Sequence, residues 1–393
     1  MRKKWFLLLV MSALVFTGCS SDDDENTDDV QSAPNFETLT GIPDNSKAGE
    51  SPVVTESTTS IPNMSFSRTE INGCPVVNMN MTGIFNNETG EWLDLVGTAQ
   101  EGQNIWLEID GQPRSIKVEK LADAQQKAKT RADGKPMADV VFLIDNSGSM
   151  YEEADVIANE IDSWSAKLEQ ILDLRLGCVG YDDSYISGGI NMGSYTALSA
   201  FLNRPNRSGT YRTFGFVGKD SIALYDCTSD YRTYGECGAA ALNFADKYFT
   251  FRPGANRIYI NFTDEPNQPY ASQPQYSVEY LNSQENWKAY QGTVHTVFSE
   301  PYYTTEYYTY WNENNEKPWL MSEYTGGSVL YATSDFSNVT LESLPVTGAL
   351  HNSYSVSLYL TTDMETGTHT VKVTILSPDG AVKAVREFTD VTF

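Results

Sequence analysis

The chain has 393 residues, with 52 acidic against 27 basic side chains and three histidines, for a formal charge of −25. That balance disfavours a nucleic-acid binder, because neutralising phosphates needs clustered Lys and Arg. With 40% hydrophobic and 12% aromatic residues the chain can fill real cores, which excludes a wholly disordered acidic protein, and its length suits two or three domains.

Arg2, Lys3 and Lys4 form a positive region, Trp5 to Phe16 an apolar run, and Thr17-Gly18-Cys19 a small-residue cleavage site. Residues 1–18 therefore read as a signal peptide, too short and too N-terminal for a spanning helix. The pattern resembles the lipobox of bacterial lipoproteins, which implies lipidation of Cys19 and membrane contact through a lipid anchor only; the alternative is a plain secreted protein. Residues 19–62 read as an acidic and then Ser/Thr-rich tether with little order before Asn63. Its acidic run, Asp22-Asp23-Asp24-Glu25, resembles the signal that sends some lipoproteins to the outer face of the outer membrane, so the expected place is the outer membrane, surface exposed. The remaining cysteines are Cys74, Cys178, Cys227 and Cys237. Cys227 and Cys237 are close enough in sequence to clip one loop as a disulfide, while Cys178 in its apolar run reads as a buried thiol.

Strands are predicted over Pro75–Met81, Trp92–Ala99, Asn104–Ile109 and Ser115–Glu119, and again over Tyr354–Thr361, Gly367–Leu376 and Ala381–Phe388. Together these seven suggest one all-β sandwich built from residues 63–134 and 346–393. Between them, residues 135–345 change character. Asp139 to Asp145 is a continuous apolar run of the kind buried on both faces of a parallel sheet. Apolar residues from Ala154 to Leu172 recur at helical spacing. Strands at Leu174–Tyr181, Ile258–Asp264 and Thr293–Phe298 alternate with helices at Ala239–Tyr248 and Tyr276–Tyr290, and Pro318–Tyr324 and Gly327–Ala332 extend the rhythm. The prediction is an α/β fold, a doubly wound and mainly parallel sheet, inserted into the sandwich.

In such folds ligands bind beyond the carboxyl ends of the strands. There the sequence places Asp145-Asn146-Ser147-Gly148-Ser149 and Thr263-Asp264-Glu265, an oxygen-only set of the kind Mg²⁺ prefers. Asp145-x-Ser147-x-Ser149 after an apolar strand, Asp264 after a later one, and Tyr324-Thr325-Gly326-Gly327 before the last strand resemble the von Willebrand factor type A (VWA) family and its metal-ion-dependent adhesion site, over Met137 to Thr333. The resemblance implies one ion, Mg²⁺ or else Ca²⁺ or Mn²⁺. Ser147 and Ser149 would be direct ligands, and Asp145 and Asp264 would act through water. Glu236 stands where the family carries a threonine, with Thr233 and Thr228 as substitutes if the loop threads differently. The competing reading has Asp145 and the serines only cap the following helix.

Tyr302, Tyr303, Tyr307, Tyr308, Tyr310 and Trp311, with Trp319, are either a contact surface on the metal side or a small core under a long loop. Tyr270, Tyr276 and Tyr280 join either arrangement, and Asp182 and Asp183 are candidates for the rim. His295, His351 and His369 fall in or beside predicted strands without nucleophile spacing, so no enzyme is expected. The resemblance implies adhesion to a protein or glycan partner through the metal face. The alternative is a structural subunit or tip of a surface assembly, in which the metal only stabilises the fold.

Overall fold

The computed structural model describes residues 35–59, 63–86, 89–121, 123–124, 135–150, 153–182, 185–203, 218–219, 231–299 and 316–393. Its centre is a sheet of seven strands in the order Gly218–Lys219, Tyr185–Gly193, Asp173–Asp182, Met137–Asp145, Asn256–Thr263, Thr293–Ser299 and Val329–Ala332. The last five run parallel, and Tyr185–Gly193 pairs antiparallel to Asp173–Asp182. The central strand is apolar on both sides because both are covered. Val140, Phe142 and Ile144 pack with helix Ala154–Ile171, and Val141 and Leu143 with helix Gly238–Tyr248. This is a mixed α/β arrangement on a largely parallel sheet, compatible with a VWA-like fold.

Two smaller sheets interleave strands from before and after this unit. One has the order Met64–Ile71, Cys74–Met81, Tyr354–Tyr359, Lys117–Lys120; the other Lys383–Val391, His369–Leu376, Ile105–Ile109, Gln112–Arg114. All their pairings are antiparallel. Alternate residues of both sheets, among them Val77, Met79, Leu107, Ile109, Val371 and Val373, meet in one core.

Several predicted elements are corrected. Of Trp92–Ala99 only Glu91–Trp92 is strand. The backbone beyond it is satisfied by side chains instead of a ladder: Asn104 accepts from the Val96 N–H and donates to the Asp94 carbonyl, both at 2.8 Å. Tyr276–Tyr290 is not one helix but short 3₁₀ turns at Pro274–Tyr276, Glu279–Asn282 and Ala289–Gln291. Ser277 and Ser283 explain the breaks, their hydroxyls accepting from the Tyr280 and Glu285 N–H groups. Residues 35–59 are more ordered than a tether. Helix Phe36–Thr40 is capped by Asn35, Ile42 is fully buried, and the Thr58 N–H donates to the Lys383 carbonyl. His351 closes helix Val346–His351 rather than edging a strand. The strands Met64–Ile71 and Tyr185–Gly193 and the helix Tyr195–Leu202 add to the predicted set.

The Thr325-Gly326-Gly327 turn does precede the last strand of the parallel sheet. Helix Trp319–Thr325 ends at Gly326 in the left-handed region, φ 82°. A Cβ on Gly327 would lie 1.8 Å from the Val294 carbonyl oxygen, so only glycine lets the chain pass there.

Cys74, Cys178 and Cys237 are buried thiols. The Cys237 Sγ donates to the Tyr276 carbonyl at 3.3 Å, and burial pushes its pKa up to about 12. Cys227, its predicted partner, lies outside the described residues, as do the signal peptide and Cys19. Among the described residues no helix is long and apolar enough to cross a membrane.

Candidate metal centre

Two strand exits, distant in sequence, meet at the carboxyl end of the parallel sheet. Strand Met137–Asp145 ends in Asp145, which is 1% exposed. Its Oδ1 accepts the Ser147 N–H at 3.0 Å, turning the chain so that the hydroxyls of Ser147 and Ser149 come within 3.0 Å of each other. The Ser149 hydroxyl donates to Asp264 Oδ1 at 3.1 Å. Thr263 donates to Asp145 Oδ2 at 2.8 Å, a second tie between the exits that the motif spacing did not single out. The loop does not cap the next helix: the cap position of Ala154–Ile171 is Glu153, with no side-chain capping bond.

Glu236 is brought to the same place from the loop before helix Gly238–Tyr248. That loop is stitched to the one after Asp264. The Tyr234 and Gly235 N–H groups donate to the Gln268 carbonyl at 2.9 and 3.2 Å, and the Gln268 N–H donates to the Glu236 carbonyl at 2.8 Å. Gln268 Nε2 donates to Glu236 Oε2 at 3.0 Å, and Asn267 Oδ1 accepts the Ala239 N–H at the helix start. Gln268 and Asn267 are positioning residues that no local pattern announces, because their partners lie about 30 residues upstream. Thr233 donates to the Gly235 carbonyl at 2.7 Å, and Thr228 lies outside the described residues.

The electrostatics are those of crowded acids. Burial, then the charges of Asp264 and Glu236, push Asp145 well above the usual carboxylate range. Burial raises Asp264 to about 6 against the Ser149 hydrogen bond, and burial with Asp264 and Glu236 raises Glu265 to about 8. Among the described residues no Lys or Arg bonds to Asp145, Asp264 or Glu265. Both amide atoms of Asn146 are buried without a partner. Among the described residues, no three His, Cys, Asp or Glu side chains form a metal cluster by themselves. An ion here would draw on the serine hydroxyls together with Asp145 and Asp264. The donor set suits a hard cation: oxygen only, partly neutral, and short of positive charge.

The remaining candidates separate. Trp319 packs against Phe298, ring centroids 5.1 Å apart, as part of a small core. Tyr302, Tyr303, Tyr307, Tyr308, Tyr310 and Trp311 lie outside the described residues. Tyr276 is buried and stacked on Tyr231, whereas Tyr270 is exposed and meets Tyr234 edge to face. Asp182 ends its strand, and Asp183 lies outside the described residues.

No family model matches the chain, and no curated protein matches it in sequence. Among solved structures it is similar to the human COPII-coat protein Sec24c, with 9% identity and a TM-score of 0.28 over 66% of this chain and 44% of that one. It is also similar to the ArnB paralog VWA2 from Sulfolobus acidocaldarius, with 10% identity and a TM-score of 0.28 over 86% of this chain and 74% of that one. The chain thus spans less than half of the Sec24c chain. Scores this low carry no function across.

Proposed function

We propose that this chain is a surface-anchored lipoprotein whose α/β unit, a VWA domain, binds one divalent cation, Mg²⁺ by preference, and engages a protein or glycan through that face. The observation that carries the proposal is the hydrogen bond from Ser149 to Asp264, which joins two sequence-distant acidic loops where Asp145 and Asp264 have no basic partner among the described residues. Ser147 and Ser149 would hold the ion, with Asp145, Asp264 and Glu236 around it. A cation there supplies the missing counter-charge and, with neutral direct ligands, keeps appetite for an acidic group on a partner. The residues' own part is to hold the hydroxyls in place: Asp145 fixes the turn and Thr263 fixes Asp145. The lipid anchor at Cys19 rests on the sequence. The reading of the two antiparallel sheets as one sandwich, into which the VWA domain is inserted, is supported by Tyr354–Tyr359 pairing between Cys74–Met81 and Lys117–Lys120.

The test is Mg²⁺ titration by calorimetry with melting curves in Mg²⁺ and in EDTA, on the native chain and on Asp145→Asn. Native chain should gain roughly 2.7 kcal/mol at Mg²⁺ about 100-fold above its Kd, and the variant should gain nothing. Equal Mg²⁺ binding by both would refute the assignment. Partner capture from surface material that survives EDTA would leave the ion a structural role, in a subunit or tip of an assembly.

A further inference from the structure

A cavity of about 270 Å³ opens at the other pole of the parallel sheet, where that sheet meets the antiparallel ones. Ile258 and Thr293 line it from the beginnings of their strands, and Gly326, Gly327 and Ser328 from the turn before the last strand. Ile258 is separated from Asp264 by most of a strand, roughly 20 Å at 3.3 Å per residue.

The lining is amphipathic. Trp92, Ile258, Val346 and Ala349 give apolar wall. Trp92 is seated by a bare stretch of backbone: a Cβ on Gly348 would come within 2.2 Å of the indole Cζ2, and Phe85 lies across it at 5.1 Å. Between these walls stand polar atoms that the protein leaves unused. His295 Nδ1 lies 3.2 Å from the Ser328 N–H, which can only donate to it, and 2.8 Å from the Ser328 hydroxyl, which then donates as well; the neutral ring so bonded carries its hydrogen on Nε2, which has no protein partner among the described residues. Burial keeps that ring neutral, its pKa lowered to about 4. Asn63 also lines the cavity but is 5% exposed, its Nδ2 reaching the Arg257 carbonyl at 3.4 Å and its Oδ1 buried, so it adds no open acceptor. The indole N–H of Trp92 is likewise without a protein acceptor among the described residues. Glu323 is exposed on the lining, and no Lys or Arg stands among the lining residues described.

Each feature narrows the ligand. The volume admits about one ring, being just under the usual range for drug-sized ligands. The absence of a cation and the presence of Glu323 disfavour phosphates and carboxylates. Unused N–H donors on Trp92 and His295 beside an apolar and aromatic lining suit a molecule with hydroxyls around its edge and C–H groups on its faces. We propose that this cavity is a binding site for a single neutral hexopyranose unit, free or at the end of a glycan. The proposal does not depend on the metal centre at the opposite pole.

The test is calorimetry of the full chain with D-glucose, D-galactose, D-mannose and N-acetyl-D-glucosamine, with D-glucuronate as the anionic control. At least one neutral sugar should bind saturably, with Kd on the order of millimolar, and glucuronate about tenfold more weakly or not at all. Trp92→Phe, which keeps a ring and loses the N–H, should weaken binding about tenfold. Ala349→Leu should abolish it by filling the cavity, and the exposed change Glu323→Gln should narrow the gap between neutral and anionic sugars. EDTA should change nothing. Absence of saturable binding by every neutral sugar would overturn the proposal, as would glucuronate binding as tightly as the best of them. Unchanged binding by Ala349→Leu in a chain that melts like the native one would overturn it too.

Discussion

Asp139 and Asp145 lie on one strand, and both are buried, 0% and 1% exposed, yet the protein treats them in opposite ways. At the amino pole Asp139 accepts the Arg252 backbone N–H at 2.7 Å and the guanidinium Nε at 2.8 Å, while the same guanidinium reaches Asp173 at 2.8 Å. At the carboxyl pole Asp145 receives, among the described residues, only neutral donors, Ser147 and Thr263, and faces Asp264 and Glu236. A buried carboxylate is tolerable when its charge is matched. The chain matches one from within, whereas the other has no basic partner among the described residues and is pushed toward its neutral form instead, and that contrast is what the proposed cation would exploit.

The comparison breaks most easily at Arg252. Arg252→Met should destabilise the chain by about 3–5 kcal/mol in urea unfolding, because the fully buried Asp139 loses its guanidinium partner and Asp173 loses an ion pair with it. Adding Asp139→Asn to it should recover part of that loss. A cost for the single variant below about 1 kcal/mol would mean that the amino pole does not need its internal cation, and the contrast would fail.

At the amino pole His295, which has no carboxylate partner among the described residues, is kept neutral. Its pKa is lowered from 6.5 to about 4 by burial, so the unfolded chain takes up the proton first as pH falls. Stability from this group is complete above pH 6.5 and declines toward pH 4, by up to about 3 kcal/mol. Comparing urea midpoints at pH 7.5 and 5 for the native chain and for His295→Gln should show the native chain losing more. Equal losses would place the acid sensitivity elsewhere.

Much of this contrast was legible in the sequence, because its carriers are local. The apolar run up to Asp145 announces a strand covered on both faces, and Asp145-x-Ser147-x-Ser149 at its exit announces a turn of hydroxyls. Periodicity likewise places helix Ala154–Ile171. What resisted reading depends on distant partners. Trp92–Ala99 has strand composition, but Asn104 and Tyr354 take its backbone groups. Tyr276–Tyr290 has helical spacing, but serine hydroxyls compete for its N–H groups. Strand Met64–Ile71 looks too polar, although Asn72-Gly73, with φ of 51° and 81°, is a hairpin signal that could have found it. Arg252 as the partner of Asp139, and Gln268 as the holder of Glu236, could not be found from spacing at all.

Gln268 gives the smallest and most discriminating effect. Its side chain contributes one hydrogen bond to Glu236 at a partly solvated edge, while the backbone stitching of the two loops does not depend on residue type. Gln268→Ala should therefore cost only about 1 kcal/mol of stability. It also removes one of the contacts that hold the Glu236 carboxylate in place. If Glu236 helps to match the charge of a bound cation, calorimetry should show Mg²⁺ affinity falling several-fold in Gln268→Ala and further in Glu236→Gln, while the metal-free melting temperature of Glu236→Gln rises because Asp145 and Glu265 lose a like-charged neighbour. Mg²⁺ affinity unchanged in both variants would put Glu236 outside the site and leave Asp145, Asp264 and the two serines to hold the ion alone.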